Sequence, residues 1–180
     1  MIEIEYKFLL EKVPLTAKYW GRVEQCYMPQ TKDTRFTITE RVSRFSRGTD
    51  IYHGIAGYSR NVKIVEPQTE NKPLIRYEYA QEIDADTFWM MYPMSYGKKI
   101  LKDMYYINVE GSKQWWKIDD ILNCKRLVIA EIEVECENDE ILIPKAIESV
   151  MIKNVTHDPA YESFLLAKSC HTNCVSEKCE

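Results

Sequence analysis

The chain has 180 residues, 45% hydrophobic and 29% charged, which predicts one well-packed domain and argues against a disordered chain. A net charge of −4 excludes a bulk attraction for nucleic acid, and only 6 glycines, with neither GxGxxG nor GxxxxGK[ST], argue against a glycine-rich phosphate loop. The sequence has no long apolar run and no signal peptide, so we expect a cytoplasmic protein with mostly reduced cysteines.

Charged and apolar side chains alternate strictly from Ile2 to Phe8. A period of two predicts a β-strand, with Glu3, Glu5 and Lys7 on one face. Successive side chains on that face would lie about 7 Å apart. Two carboxylates at this spacing repel unless a cation lies between them, and Mg²⁺ or Mn²⁺ prefers such oxygen ligands. A solvated edge strand would show the same alternation, so this strand alone leaves both interpretations open.

Strand patterns dominate the rest of the chain. They cover residues 23–28, 34–45, 61–65, 74–83, 98–109, 114–122 and 127–136. Short helices are predicted over residues 14–22, 84–91, 144–153 and 158–168. The glycines of residues 46–57 predict a turn region. We therefore expect a folded domain over residues 1–168 and a flexible, cysteine-containing tail over 169–180.

These elements predict an α+β fold of about eight antiparallel strands. Charged residues occupy one face of strand after strand, while the opposite face is apolar and also needs burial. A closed eight-stranded β-barrel with a polar, charged lumen and helices packed outside satisfies both requirements. We expect that architecture.

The charged faces carry both signs of charge. Their acidic members are Glu3, Glu5, Glu78, Glu82, Asp119, Glu131 and Glu133, and their basic members are Lys7, Arg35, Arg41, Lys63, Arg76 and Lys102. Arginine and lysine bind phosphate oxygens, and carboxylates hold a divalent cation that neutralises phosphate charge and orients a water. These residues suit cleavage of a phosphoanhydride bond, where positioning and charge stabilisation supply most of the catalysis.

Taken in order, the motifs resemble those of the CYTH superfamily, the triphosphate tunnel metalloenzymes. The first strand, Glu3-Ile4-Glu5-Tyr6-Lys7, resembles the family's ExExK signature. The later segments that resemble the family are Glu24-Gln25-Cys26-Tyr27-Met28, Lys63, Arg76-Tyr77-Glu78, Trp116-Lys117-Ile118-Asp119, Ala130-Glu131-Ile132-Glu133, and Val155-Thr156 with Tyr161. The resemblance covers roughly residues 1–168.

The resemblance implies an eight-stranded tunnel that binds a triphosphate with Mg²⁺ or Mn²⁺. It implies metal ligation by Glu3, Glu5, Asp119, Glu131 and Glu133, and a catalytic role for Glu3, Glu5, Glu131 and Glu133. It implies phosphate binding by Lys7, Lys63, Arg76 and Lys102, with Arg35 and Arg41 as candidates for the arginines of the third strand. Members of the family hydrolyse inorganic triphosphate, thiamine triphosphate or RNA 5′-triphosphate ends, or cyclise ATP.

The chain departs from the family pattern in three places. The third strand lacks a tight R-x-R, the usual K-x-R is Lys102-Asp103-Met104, and the first acid of W-E-x-D is Lys117. Because the arginine of K-x-R binds phosphate in the family, we expect its replacement by Met104 to affect substrate binding more than the metal site.

Three functions remain open from the sequence. The first is a metal-dependent triphosphatase acting on a small-molecule triphosphate, with an RNA 5′ end as a less favoured substrate. The second is an adenylate cyclase of the class IV type, in which the ribose 3′-hydroxyl attacks. The third is a non-catalytic module that binds a nucleotide or polyphosphate. We expect no membrane partner, and the sequence leaves monomer and homodimer open.

Overall fold

The computed structural model describes residues 2–32, 37–50, 54–65, 74–124, 127–136 and 138–176. Within them, ten strands form one antiparallel sheet: β1 Ile2–Leu10, β2 Lys18–Tyr27, β3 Thr31–Lys32, β4 Thr37–Ser46, β5 Ile55–Val65, β6 Leu74–Ile83, β7 Lys99–Asn108, β8 Trp115–Ile121, β9 Leu127–Val134 and β10 Met151–Asn154. The α-helices in the same residues are α1 Ala85–Met91, α2 Lys145–Glu148 and α3 Ser163–Ser176. Short 3-10 helices follow α1 and precede α3.

The strand order is β10-β1-β6-β5-β4-β2-β7-β8-β9, with β3 beside β4 and an additional pairing of β1 with β9. β1 therefore has three partner strands. Its first residues pair with β6, residues 4–10 pair with β9, and residues 8–10 pair with β10. Because side chains directly opposite each other share a face of a sheet, this register brings the charged faces of β1, β6 and β9 together.

The expected closed eight-stranded β-barrel with helices packed outside is wrong. The structure has a ten-stranded antiparallel sheet whose order runs from β10 to β9, and few helices accompany it. The two short strands account for the miscount. β3 spans only two residues, too few to show an alternation, and β10 lies largely in the segment whose pattern predicts a helix over residues 144–153.

The predicted helix over residues 14–22 is also wrong, because this segment is a turn that leads into β2. Its prediction rests on the four-residue spacing of Leu15, Tyr19 and Val23. Leu15 is fully exposed whereas Val23 is buried, so the three side chains share no buried face. Helix α1 begins as its capping residues predict, since the Thr87 backbone N–H donates to Asp84 Oδ1 at 2.7 Å.

Two clusters of buried apolar residues lie on the face of the sheet opposite to Lys7, Arg41 and Glu131, whereas a third, beneath α3, shares the face of those charged residues. Trp116 packs against Phe8 with ring centroids 5.4 Å apart, and Ile147 of α2 joins the same cluster. Phe88 of α1 covers Val42 of β4. The few helices thus bury apolar faces of the strands. Burial of apolar surface is the main contribution that stabilises such a sheet.

Helix α3 packs on the sheet through Phe164, Leu166 and Ala167. It continues to Ser176, through much of the segment that the sequence pattern assigns to a tail. A disulfide joins Cys170 of α3 to Cys124 after β8, so the expectation of reduced cysteines is wrong for this pair. Among the described residues, no helix has the length and apolar character needed to cross a bilayer.

Candidate functional site

A cavity of about 140 Å³ lies against the charged side of the sheet. Residues of eight strands and of the start of α3 line it. Among the described residues, six cationic and three acidic side chains contribute to the lining, an excess of three positive charges in a chain whose net charge is −4. These charged residues are Glu5, Lys7, Arg41, Lys63, Arg76, Lys102, Lys117, Glu131 and Glu162. A concave surface with this charge excess suits a polyanion.

Glu131 is a buried acid of this cavity that contacts two ammonium groups. The strand register places it opposite Lys7 of β1 on one side and Lys117 of β8 on the other. Lys7 Nζ donates to Glu131 Oε1 at 2.8 Å, and Lys117 Nζ lies 2.5 Å from Oε2. Burial alone would raise the pKa of the Glu131 carboxyl, but Lys117 and Lys7 hold that pKa well below its ordinary value. Glu131 is therefore ionised, with one ammonium group on each oxygen.

Both lysines are protonated as a result. Burial would lower the pKa of the Lys7 ammonium, but Glu131 and Glu5 raise it above the usual lysine value. The same opposition acts at Lys117, where Glu131 and Asp119 outweigh burial and hold the pKa well above its usual value. The two side chains differ in access to solvent, since Lys7 is 5% exposed and Lys117 is 27% exposed.

Glu5 is the second buried acid of the cavity. Arg76 of β6 donates from Nη1 to Glu5 Oε2 at 2.6 Å, and Lys7 Nζ lies 3.6 Å from the same oxygen. Glu5 and Glu131 therefore flank one ammonium group. The shared ammonium offsets the repulsion that two neighbouring carboxylates would otherwise exert on each other.

Arg41 and Lys63 are positioned by a shared acid on β6. Glu78 Oε2 lies 3.2 Å from Lys63 Nζ, and Glu78 Oε1 lies 3.7 Å from Arg41 Nη2. Asn61 donates to the same Oε1 at 2.7 Å. Arg41 Nε is buried and makes no hydrogen bond to any described residue. A buried donor without a partner is unfavourable, so this N–H is suited to an anionic acceptor from outside the protein.

Lys102 is held by Asp119 on the neighbouring strand. Lys102 Nζ lies 2.5 Å from Asp119 Oδ2, and both side chains are buried. Asp119 Oδ1 is also buried and has no hydrogen-bond partner among the described residues. Asp119 supports Lys102 but does not itself line the cavity.

Most of the predicted site residues meet in this cavity. Seven of them line it: Glu5, Lys7, Arg41, Lys63, Arg76, Lys102 and Glu131. Glu133 is exposed and instead lines a neighbouring cavity of about 540 Å³, which also contacts Lys117 and Glu131. Arg35 lies outside the described residues, and so does the side chain of Glu3, although the Glu3 backbone pairs with Arg76.

Sequence reasoning missed Lys117 as a cavity residue. It identified this lysine only as a departure from the W-E-x-D pattern, yet Lys117 and Asp119 are two apart on one strand and so share its charged face. Met104, where the family's K-x-R has an arginine, also lines the cavity. Lys117 therefore returns a positive charge to a cavity that lacks that arginine. Glu162, directly before α3, and Phe164 within it also line the cavity, and the sequence pattern of this segment indicated a helix but no role in the site.

The oxygen donors of the cavity fit a hard divalent cation in kind. Glu5 and Glu131 are carboxylates at its wall, and Asp119, which does not line the cavity, has a buried oxygen without a hydrogen-bond partner among the described residues. In the part of the chain that the structure describes, however, no three acidic, histidine or cysteine side chains are grouped as a metal site. The described acids are instead paired with lysines and an arginine.

The fold is similar to that of solved structures. The crystal structure of the inorganic triphosphatase NE1496 is 23% identical, covers 91% of this chain and 96% of that chain, and has a TM-score of 0.56. A second structure, of the hypothetical protein NE1496, gives 23% identity, 92% and 96% coverage and a TM-score of 0.57. At the level of the fold, this likeness confirms the resemblance that the motifs carry. No protein-family profile and no curated protein matches the sequence.

Proposed function

We propose that the cavity binds a small-molecule triphosphate and that the protein is a divalent-metal-dependent triphosphatase. The observation that carries the proposal is the lining of six cationic side chains interleaved with the carboxylates of Glu5 and Glu131. Cations bind the phosphates, and carboxylates position a metal or a water beside them. The fold likeness to the inorganic triphosphatase NE1496 supports the same proposal.

In the proposed complex, the arginines and lysines of the wall hold the phosphate groups. Arg41 offers its unpartnered Nε, and Arg76, Lys63 and Lys102 offer donors that now contact acids of neighbouring strands. These ion pairs fix each cation in place before the ligand arrives, which lowers the entropic cost of binding. Lys7 and Arg35 complete the proposed phosphate-binding set.

The proposed metal ligands are Glu3, Glu5, Asp119, Glu131 and Glu133. When bound, Mg²⁺ or Mn²⁺ would neutralise charge that develops on the transferring phosphoryl group. In the proposed reaction the Glu131 and Glu5 carboxylates accept hydrogen bonds from a water and orient it toward the terminal phosphorus, while the Lys7 ammonium contacts both acids. Glu3 and Glu133 are proposed to assist the same step.

One observation favours a second function, a binding module without catalysis. Both oxygens of Glu131 contact ammonium groups, which leaves that acid less available to a metal or a water. Both functions involve a bound triphosphate, but only the triphosphatase would release phosphate from it.

A substrate panel tests the proposal. We expect phosphate release from inorganic triphosphate, ATP, thiamine triphosphate or triphosphate-ended RNA with Mg²⁺ or Mn²⁺, and a fall of about 100-fold or more in Glu5→Gln. Glu82→Gln is the matched control, because Glu82 is exposed on β6 and outside the cavity lining. If wild type and Glu5→Gln release equally little phosphate while triphosphate still binds, the protein is a binding module. Cyclic nucleotide with pyrophosphate as products would instead identify a cyclase.

A further inference from the structure

Lys117 lies where the two cavities of this face meet. It contacts the smaller cavity of about 140 Å³ and the larger one of about 540 Å³, and its partner Glu131 does the same. We infer that Lys117 is a triphosphate-binding residue whose ammonium neutralises charge beside Glu131 while no metal is bound, so that the cavity binds triphosphate in the absence of metal as well as in its presence, and only hydrolysis needs the metal. This inference rests on the proposed function and specifies how its ligand is held.

The geometry at Glu131 places one ammonium group on each carboxylate oxygen. Lys7 and Lys117 contact different oxygens of this carboxylate, at 2.8 and 2.5 Å. A metal that took Glu131 as a ligand would have to displace one of these ammonium groups. Removing one partner from a buried ion pair is strongly unfavourable, because the remaining charge loses its compensation. The structure thus already supplies the positive charge that a metal would bring to this acid.

Lys117 can also contact a ligand in the cavity while it is paired with Glu131. An ammonium group has three N–H donors, and Glu131 is the only acid within ion-pair distance of Lys117 among the described residues. Lys117 keeps 27% of its side chain exposed, so N–H donors that Glu131 does not use can face a bound anion while the ion pair remains. The register places it between Glu131 of β9 and Tyr106 of β7, at the cavity wall.

The positive excess of the lining also favours a ligand that carries its full negative charge. The six cationic side chains include three lysines from strands β1, β7 and β8, on the same part of the sheet as Glu131. Removal of Lys117 would leave the lining with a smaller positive excess and would leave Glu131 dependent on Lys7 alone. Metal-free triphosphate, which brings its full negative charge into the cavity, would be the ligand most affected.

Calorimetric titration with inorganic triphosphate, in excess chelator and separately with Mg²⁺, tests this inference. We expect wild type to bind in chelator with a dissociation constant within about threefold of its Mg²⁺ value. Lys117→Met should weaken binding in chelator by about tenfold or more, and Lys117→Arg should retain it. Lys113→Met is the matched control, because Lys113 precedes β8, is exposed and does not line the smaller cavity.

Two results would overturn the inference: wild type that binds triphosphate only with Mg²⁺, or Lys117→Met that behaves like Lys113→Met. Circular dichroism and thermal unfolding show whether each variant is folded. If Lys117→Met does not fold, the inference is tested by wild-type binding in chelator against binding with Mg²⁺, and by Lys117→Gln in place of Lys117→Met. Failure of the proposed function looks different, because chelator binding without phosphate release in any metal would refute the triphosphatase and leave the role of Lys117 standing.

Discussion

At the scale of single residues, the cavity is organised around the buried Lys7 ammonium, which Glu5 and Glu131 share. We predict that Lys7→Met lowers the free energy of unfolding by roughly 1–3 kcal/mol, because two buried carboxylates lose a common cation while Lys117 and Arg76 remain. Urea denaturation measures this change. Lys12→Met, at an exposed position after the same strand, is the control and should change the unfolding free energy by less than about 0.5 kcal/mol.

Glu131 also predicts an acid sensitivity. Its folded pKa lies well below the unfolded value, so its ionisation contributes stability above about pH 4.5 that is lost as the pH falls from there toward the folded pKa. In Glu131→Gln we expect the urea midpoint to depend less on pH below about pH 4.5 than in wild type. The exposed Glu133→Gln on the same strand should retain the wild-type slope. Equal slopes in wild type and Glu131→Gln would contradict the assignment.

At the scale of elements, α3 connects the cavity to the disulfide. Residues at its start line the cavity, and Cys170 farther along is bonded to Cys124, 46 residues earlier. We predict that a reductant lowers stability by roughly 2–4 kcal/mol, because a closed loop of this length restricts the unfolded chain. Thermal unfolding with and without reductant measures the effect. The double variant Cys124→Ser/Cys170→Ser should be insensitive to reductant, whereas Cys136→Ser, at a free exposed cysteine, should behave as wild type.

The elements also show how far sequence patterns reach. Alternation predicts β6 over its whole length and most of β1, because half-buried strands have a period of two. It fails at Gly57, whose residue type suggests a turn although it lies within β5. A Cβ there would lie 2.6 Å from the Phe45 ring, so the glycine makes room for an aromatic side chain on the paired strand. Long-range packing of this kind leaves no local signal.

Much of the cavity lining was predictable from the sequence, although Asp119 and Glu133 do not line it and Lys117 was missed, whereas the pairing of its charges was not predictable. The sequence motifs predict Glu5, Lys7 and Arg76 as site residues because the motifs are defined by residue type and spacing alone. Which acid meets which base depends on strand register, and register is a property of pairs of distant strands. The contact of Lys117 with Glu131, across β8 and β9, is therefore a structural finding.

At the scale of the whole molecule, a cavity with a positive lining lies inside a chain of net charge −4. We predict that triphosphate binding weakens by about tenfold between roughly 0.05 and 0.5 M salt, because added ions screen attraction between the ligand and the wall. Titrations at several sodium chloride concentrations measure this dependence. Glucose at matched osmolality is the control, and an affinity independent of salt would mean that contacts other than charge dominate binding.

The three partner strands of β1 have a consequence for biosynthesis. The Lys7 backbone N–H donates to Thr156 Oγ1 at 3.0 Å across 149 residues, and β9 and β10 also come late in the chain. During translation β1 leaves the ribosome before β9 and β10, and it pairs with them only after they have emerged. Contacts so distant in sequence slow folding, and an unpaired strand exposed meanwhile can aggregate. The alternating charges of β1, which later form part of the cavity wall, would keep the unpaired strand hydrated and so oppose aggregation until β9 and β10 emerge.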